Sequence, residues 1–428
     1  MKTGDTADAG QARSPTDRAP APLKGVKVLD MSRVLAGPWI AQLLGDLGAD
    51  VVKIEAPGTG DDARQLGVAS LDSSADARSG RNSTFYLACN RNKRSIAVDL
   101  AHEEGKSVVR QLVRDCDVLV ENFKAGGMDR LGLGWDALSA INPRLIHCSV
   151  TGFGQDGPYA SQPAYDFIMQ AMTGMMSTCG LADGMPGASP VRTAIPTTDL
   201  VTGYQGCIAV LGALLQRGVT GKGQFIDAAM LDASVCFNVH LAQGYLMGFG
   251  VPGRQGNNNP IAAPSGVFQS ADGWLVIAAG NDRQFDSLCT AMALGPLRER
   301  DEFSSNASRV TNRERLTRIL EPVVLSRPSE YWQNALKAVG VPCTGINDME
   351  KVFEDPQVKH RRLVVDVYQS GGNKLPILRS ALNMSNYEVG YKAPPMLAEH
   401  TREVLAEWAG MDSAQIEALL ATGAVVAQ

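Results

Sequence analysis

From Gly25 the chain reads GVKVLDMSRVLAGPWIAQLLGDLGADVVKIEAP: a short β-branched run, a loop closed by Gly37 and Pro38, an apolar helical stretch, then a second run at 50–55. Two such strands joined through a helix are not a hairpin, because a parallel connection needs a crossover of about a dozen residues. The alternation continues with SIAVDL at 95–100, a helix over 102–115, DVLVENF at 117–123, a helix over 135–141 and RLIHCSVTGFG at 144–154. Strands alternating with helices predict an α/β fold with an open, largely parallel sheet covered on both sides. Ligands of such sheets bind beyond the carboxyl ends of the strands. The loops to inspect are therefore 31–38, 55–62, 122–131 and 151–166.

A long helix is expected near 199–217, followed by the turn GVTGKGQ and a strand and helix in FIDAAMLDASVCFNVHLAQGYLMG. The Gly, Asn and Pro density of GFGVPGRQGNNNPIAAPSG then marks a boundary or a loop. A compact α+β segment follows, with strand GWLVIAAG at 273–280 and helices to about residue 338, and the tail ends in a helix over 401–409. A length of 428 residues fits two or three domains. Residues 1–22 carry no apolar signal-peptide core and read as a mobile arm.

Composition excludes several function classes. Forty Lys and Arg against 45 Asp and Glu give a formal charge of −5, which does not suit a nucleic-acid partner. No apolar run approaches the roughly 18 residues of a span, so no membrane partner is expected. Eight scattered cysteines without a CxxC pair read as reduced thiols of a cytoplasmic protein. Five histidines without HxxxH or HExxH spacing predict no metal site.

The segment GFGQDG satisfies GxGxxG at Gly152, Gly154 and Gly157 and follows a predicted strand. A dinucleotide loop would open a helix whose amides face a pyrophosphate. Pro158 and the acidic Asp156 argue against that, and no acidic residue follows at the spacing that holds a ribose. No GxxxxGK[ST] loop occurs. A polar and cationic set gathers near strand ends: Arg33, Lys53, Arg91, Lys93, Arg94, Asn122, Lys124 and Arg130. It reads either as a solvated rim or as a site neutralising the phosphates of a small ligand. Asp199 stands where a Pro- and Thr-containing loop becomes a helix. It is either an N-cap or a carboxylate able to attack an activated carbonyl. Asp166, in PAYDFIMQAM, has the same two readings, and spacing does not choose between them.

The segments LKGVKVLDMSRVLAGPWIAQLLGDLGADVVKIEAPGTGDDAR, NRNKRSIAVDL, DVLVENFKAGGMDRLGL, NPRLIHCSVTGFGQDGPYA, TTDLVTGYQGCIAVLGALLQRGVTGKGQFIDAAMLDA and GVPCTGINDMEKVFEDPQV resemble, in this order, the class III CoA-transferases. The resemblance implies a Rossmann-like large domain over 23–227, a smaller inserted α+β domain over 228–325, and segments over 326–428 that return to the large domain. It also implies an interlocked homodimer. The implied substrates are an acyl-CoA and a carboxylic acid, with CoA entering as substrate and no resident cofactor.

In this family the nucleophile is an Asp at the start of the helix leading into the GxGQ turn, which falls on Asp199. Family CoA contacts fall on Leu35, Ala36, Val98, Asn122, Phe123, Lys124, Arg130, Tyr165 and Asp166. Formyl-CoA transferase has Gln where Leu35 stands and Arg where Ala56 stands, and its Gly-rich loop is replaced by Gly256, Asn257, Asn258, Asn259 and Pro260. These departures point away from formyl or oxalyl substrates and toward succinyl-CoA as donor. Arg33, Arg192 and Arg254 are the candidates to clamp the distal carboxylate of an acceptor, Arg33 foremost. Related α-methylacyl-CoA racemases pair a His with the Asp at this helix start to exchange an α-proton, and here Tyr165 occupies the place of that His. A non-catalytic CoA-binding protein is the remaining alternative, although binding alone requires no nucleophile at Asp199.

Overall fold

The computed structural model describes residues 20–67, 82–295 and 297–428. The arm expected over 1–22 lies, up to residue 19, outside the described residues. Twelve strands are found among them: β1 Lys27–Asp30, β2 Asp50–Glu55, β3 Lys93–Val98, β4 Val118–Glu121, β5 Ile146–Thr151, β6 Gln224–Ala229, β7 Ser265–Gln269, β8 Trp274–Ala278, β9 Cys343–Gly345, β10 Val364–Tyr368, β11 Lys374–Leu378 and β12 Val425–Val426.

One compact unit comprises residues up to Thr173, Ile195–Val239 and Arg362–Gln428. Its seven-stranded sheet has the order β12-β3-β2-β1-β4-β5-β6, with β1 to β6 parallel and β12 antiparallel to β3. Alternate residues feed two cores, one on each face of the sheet. Leu29, Val52, Ile96 and Leu119 pack with Leu112 of the helix Glu103–Val113 and with Leu405. Val28, Val51, Val118, Ile146 and Cys148 pack with Ile40, Leu44 and Val210 on the other face. β12 and the helix Ser413–Thr422 are additions to the sequence reading, which ended the chain in one helix. The strand SIAVDL lies two residues earlier than expected, at Lys93–Val98.

The helix Thr197–Thr220 is long and apolar enough, by length and composition, to cross a membrane, which corrects the expectation that no such stretch exists. One face of it belongs to the core: Cys207, Val210 and Ala213 are buried against the first helix, Ala36–Asp46, and the sheet. Two glycines set that approach. A Cβ at Gly206 would lie 2.4 Å from Ile40 Cδ1, and one at Gly203 would lie 2.9 Å from Trp39 Cδ1 and 3.1 Å from the Ala36 carbonyl oxygen.

The second unit comprises Gly174–Ala194 and His240–Arg361; against the expected 228–325 it adds 174–194 and 326–361 and leaves 228–239 to the first unit. Residues 228–237 stay with the large sheet because β6 pairs along β5 up to Ala229, and Met230 and Ala233 of the following helix are buried. Residues 326–345 join the second unit because Trp332 and Leu336 enter its core beside Phe285, Leu288 and Leu320, and β9 is the third strand of its antiparallel sheet β7-β8-β9. The hairpin β10-β11 belongs to the first unit.

Candidate active site

The strand order reverses between β1 and β4, and at that switch point the loops after the two strands are tied together. The Asn122 side chain accepts from the Arg33 amide at 2.8 Å and donates to the Arg33 carbonyl at 2.7 Å. The next residue, Val34, has φ of 70°, a left-handed conformation that a β-branched side chain rarely adopts. Asp61 Oδ1 accepts the Val34 amide at 2.9 Å and holds it there. Lys53 Nζ, fully buried, donates to the Ser32 carbonyl at 2.7 Å and lies 2.8 Å from Asp61 Oδ2. Lys93, also fully buried, donates to Asp30 Oδ2 at 2.8 Å and to the Pro38 carbonyl at 2.9 Å. Side chains from the strand ends thus fix the backbone from Ser32 to Pro38, which delivers the start of the helix Ala36–Asp46.

A cavity of about 240 Å³ opens at this point, lined by Arg33, Leu35, Ala36, Asn122, Phe123, Lys124, Tyr165, Asp166 and Asp199. All of these belong to the first unit. Asp199 stands in the first turn of the helix Thr197–Thr220, but it is not the cap. That role falls to Asp166, whose Oδ1 accepts from the Thr198 amide at 2.9 Å and the Thr198 hydroxyl at 2.7 Å, while its Oδ2 accepts from Gln170 at 2.7 Å. The Asp199 carboxyl accepts no hydrogen bond among the described residues. Burial, and secondarily the Asp166 charge, push it up to about 7. It is therefore a carboxylate ionised in part at neutral pH, unencumbered, and basic for its type, which suits nucleophilic attack. Across the cavity the helix Ala36–Asp46 begins without a side-chain cap, leaving first-turn amides for an anion.

Val98 lines a neighbouring cavity of about 270 Å³ together with Ala56, Leu100 and Ala101, and Arg33 and Phe123 border both cavities. Arg33 Nη1 pairs with Asp62 at 3.0 Å, both side chains exposed. Arg130 ends the short helical turn Gly127–Arg130 and is exposed. Arg192 and Arg254 belong to the second unit, where Arg254 pairs with Asp183.

Half of the cationic set is neither a solvated rim nor a ligand site. Lys53 and Lys93 serve the buried network, Arg91 pairs with Asp46, and Arg94 with Asp50, Glu403 and Glu407. The GFGQDG segment opens no helix, since the next one starts at Asp166. A Cβ at Gly152 would lie 2.1 Å from Ala164 Cβ, so that glycine serves the close return of the loop. Asp61 and Gln170 escaped the sequence reading. The acidic pair in GTGDDAR, directly after a strand, was the one available signal.

Residues 23–401 match the family described as CoA-transferase family III. The chain is 40% identical over 387 residues to a succinate–glutarate CoA-transferase of Agrobacterium fabrum, covering 90% of this chain and 95% of that protein. It is 37% identical over 405 residues to a human succinyl-CoA:glutarate CoA-transferase, covering 94% and 90% respectively. A crystal structure of a CAIB/BAIF family protein from Brucella suis superposes with a TM-score of 0.81 at 41% identity, covering 91% of this chain and 99% of that one. The chain belongs to CoA-transferase family III and is a CoA-transferase.

Proposed function

We propose that this enzyme moves CoA from succinyl-CoA to a dicarboxylic acid, with Asp199 as the covalent nucleophile. The observation that carries the reading is the Asp199 carboxyl itself, held without hydrogen bonds in a cavity bordered by the β1 and β4 loops and poised near neutrality. An Asp199 oxygen attacks the thioester carbonyl, the C–S bond breaks, and CoA thiolate leaves behind an aspartyl-acyl anhydride. The thiolate then attacks the Asp199 carbonyl carbon and expels the donor acid as its carboxylate, giving an aspartyl-CoA thioester. The acceptor carboxylate attacks this thioester, releases the thiolate and forms a second anhydride. Attack of the thiolate on the acceptor carbonyl then frees the new acyl-CoA and Asp199. The sequence needs no net proton and keeps the thioester energy. Each tetrahedral step calls for donors to an oxyanion, and the uncapped amides of Ala36 and Gly37 are suited to it.

CoA binding is assigned to both cavities. The apolar one beside Val98 suits a nucleobase, Leu35, Phe123 and Tyr165 border the path to Asp199, and exposed Lys124 and Arg130 suit phosphates. Arg33, which borders both cavities, is the foremost clamp for a distal carboxylate. Arg192 and Arg254 lie in the second unit. The names of the relatives support a dicarboxylate acceptor.

We also infer a cytoplasmic homodimer. The helix Thr197–Thr220 exposes Tyr204, Ile208, Leu215 and Val219, the last at 89%, an apolar face suited to a second copy. Sedimentation as a 45.5 kDa species would refute the dimer.

The activity test incubates the enzyme with succinyl-CoA and a panel of mono- and dicarboxylic acids and follows new CoA esters by mass spectrometry. The expected product is a dicarboxylate ester, with hydroxylamine trapping the intermediate at Asp199 and no turnover by Asp199→Ala. Undiminished transfer by Asp199→Ala would refute the mechanism. Transfer restricted to monocarboxylates would refute the substrate class.

A further inference from the structure

A third cavity, of about 290 Å³, is built on β4, β5 and β6 and shares only Lys124 with the Asp199 cavity. Register sets Glu121 opposite Ser149 and His147 opposite Phe225, so these four side chains project from one face of the sheet into it. Trp135, at the start of the helix Trp135–Ile141, forms a wall. The rings of Trp135, His147 and Phe225 lie 5.2 to 6.4 Å apart between centroids, all mutually tilted.

The polar groups at the bottom are incompletely paired. His147 is 1% exposed and neither ring nitrogen has a hydrogen-bond partner. Glu121 is 3% exposed; its Oε2 accepts the Phe123 amide at 2.7 Å, and the only basic nitrogen within 4 Å of the carboxylate, among the described residues, is His147 Nε2 at 3.5 Å from Oε1. A buried carboxylate with one hydrogen bond and no permanent cation is costly, and a cation entering the cavity would relieve that cost. Exposed Asp129 and Asp136 stand at the mouth, against one exposed cation, Lys124. Aromatic rings beside carboxylates form a surface that attracts positive charge. No group of three or more His, Cys, Asp or Glu side chains suited to a metal occurs among the described residues, so the lining favours an organic cation over a metal ion.

We propose that this cavity binds a small organic ammonium ion, its charge paired with Glu121 Oε1, its carbon atoms against Trp135 and Phe225, and its approach favoured by Asp129 and Asp136. The site is tied to the Asp199 cavity, because Glu121 holds the Phe123 amide and Lys124 lines both.

The test is isothermal titration of the full chain with choline and with ethanolamine at matched ionic strength. Saturable binding of at least one probe is expected, weakened tenfold or more in Glu121→Gln and severalfold in Asp136→Asn. The second variant is at an exposed position and keeps the test decisive if the first does not fold. No saturable binding of either probe overturns the proposal, as does binding that both variants leave unchanged. Binding that emerges only in Lys124→Met would overturn it too, by making the Lys124 ammonium the occupant.

Discussion

Replacing Asp199 by Asn should stabilise the protein, and more so as the pH rises. In the folded chain the carboxyl is pushed from 3.8 to about 7 by burial and by Asp166. Between those two values the folded state binds more protons than the unfolded one, so this group lowers stability as pH increases. The penalty is absent below the unfolded value, grows through the window between them, and is constant above about 7. At about 1.36 kcal/mol per pH unit, the full shift corresponds to about 4 kcal/mol. Solvent reaching a partly exposed carboxyl roughly halves that, leaving about 1 kcal/mol of growth between pH 5 and pH 8, or about 1 °C in Tm for a chain of this length. Asn is nearly isosteric and does not titrate, so it carries none of this. Calorimetric melts of wild type and Asp199→Asn at pH 5, 6, 7 and 8 should show a Tm gap that opens in favour of the variant and levels off above pH 7. Parallel curves, or a gap that closes with rising pH, would refute the reasoning, since either requires a carboxyl ionised at its ordinary value or below.

The same carboxyl predicts that kcat/KM for the acyl-CoA rises through about pH 7 with a slope of one; a limb that is flat from pH 5 upward would mean Asp199 is ionised throughout. Asp62→Asn should release Arg33 from its 3.0 Å ion pair and lower the KM for acyl-CoA severalfold, an effect that shrinks at high salt; an unchanged KM at low salt would show that Arg33 does not meet the substrate. Gly203→Val should separate the helix Thr197–Thr220 from the Ala36 carbonyl, costing about 1 to 3 kcal/mol in denaturant melts and lowering turnover, because Asp199 rides on that helix. Lys93→Met leaves Asp30 with Lys53 at 3.8 Å as its remaining cation and should cost about 3 kcal/mol by urea denaturation; a neutral outcome would mean the network adds nothing to the fold.

Where the sequence was legible, one physical cause dominated. The runs at Val51–Val52 and Val118–Val120 are apolar because both faces of the sheet are covered, so the α/β alternation and the loops beyond the strand ends were readable directly. The helix Ser413–Thr422 was readable too, since Asp412 and Gln415 form a capping box and Gly423 closes it in a left-handed turn, but the reading stopped at 409. β12 was not, because two residues cannot show a period.

Charge was the harder problem. A lysine in a sequence window reads as exposed, yet Lys53 and Lys93 are fully buried, because their partners Asp30 and Asp61 arrive from other strand ends. That is why β3 was placed two residues late: its first buried residue is a lysine. The same nonlocality separated the two candidate carboxylates. Asp166 and Asp199 looked alike because each precedes an apolar helix, and only the fold shows Asp166 satisfying Thr198 across 32 residues. By taking the cap of the second helix, Asp166 leaves Asp199 without a hydrogen bond and adds a neighbouring negative charge to its burial. The two carboxylates thus stand in different surroundings, and the ordinary structural role of one leaves the other unpaired, buried and beside a negative charge.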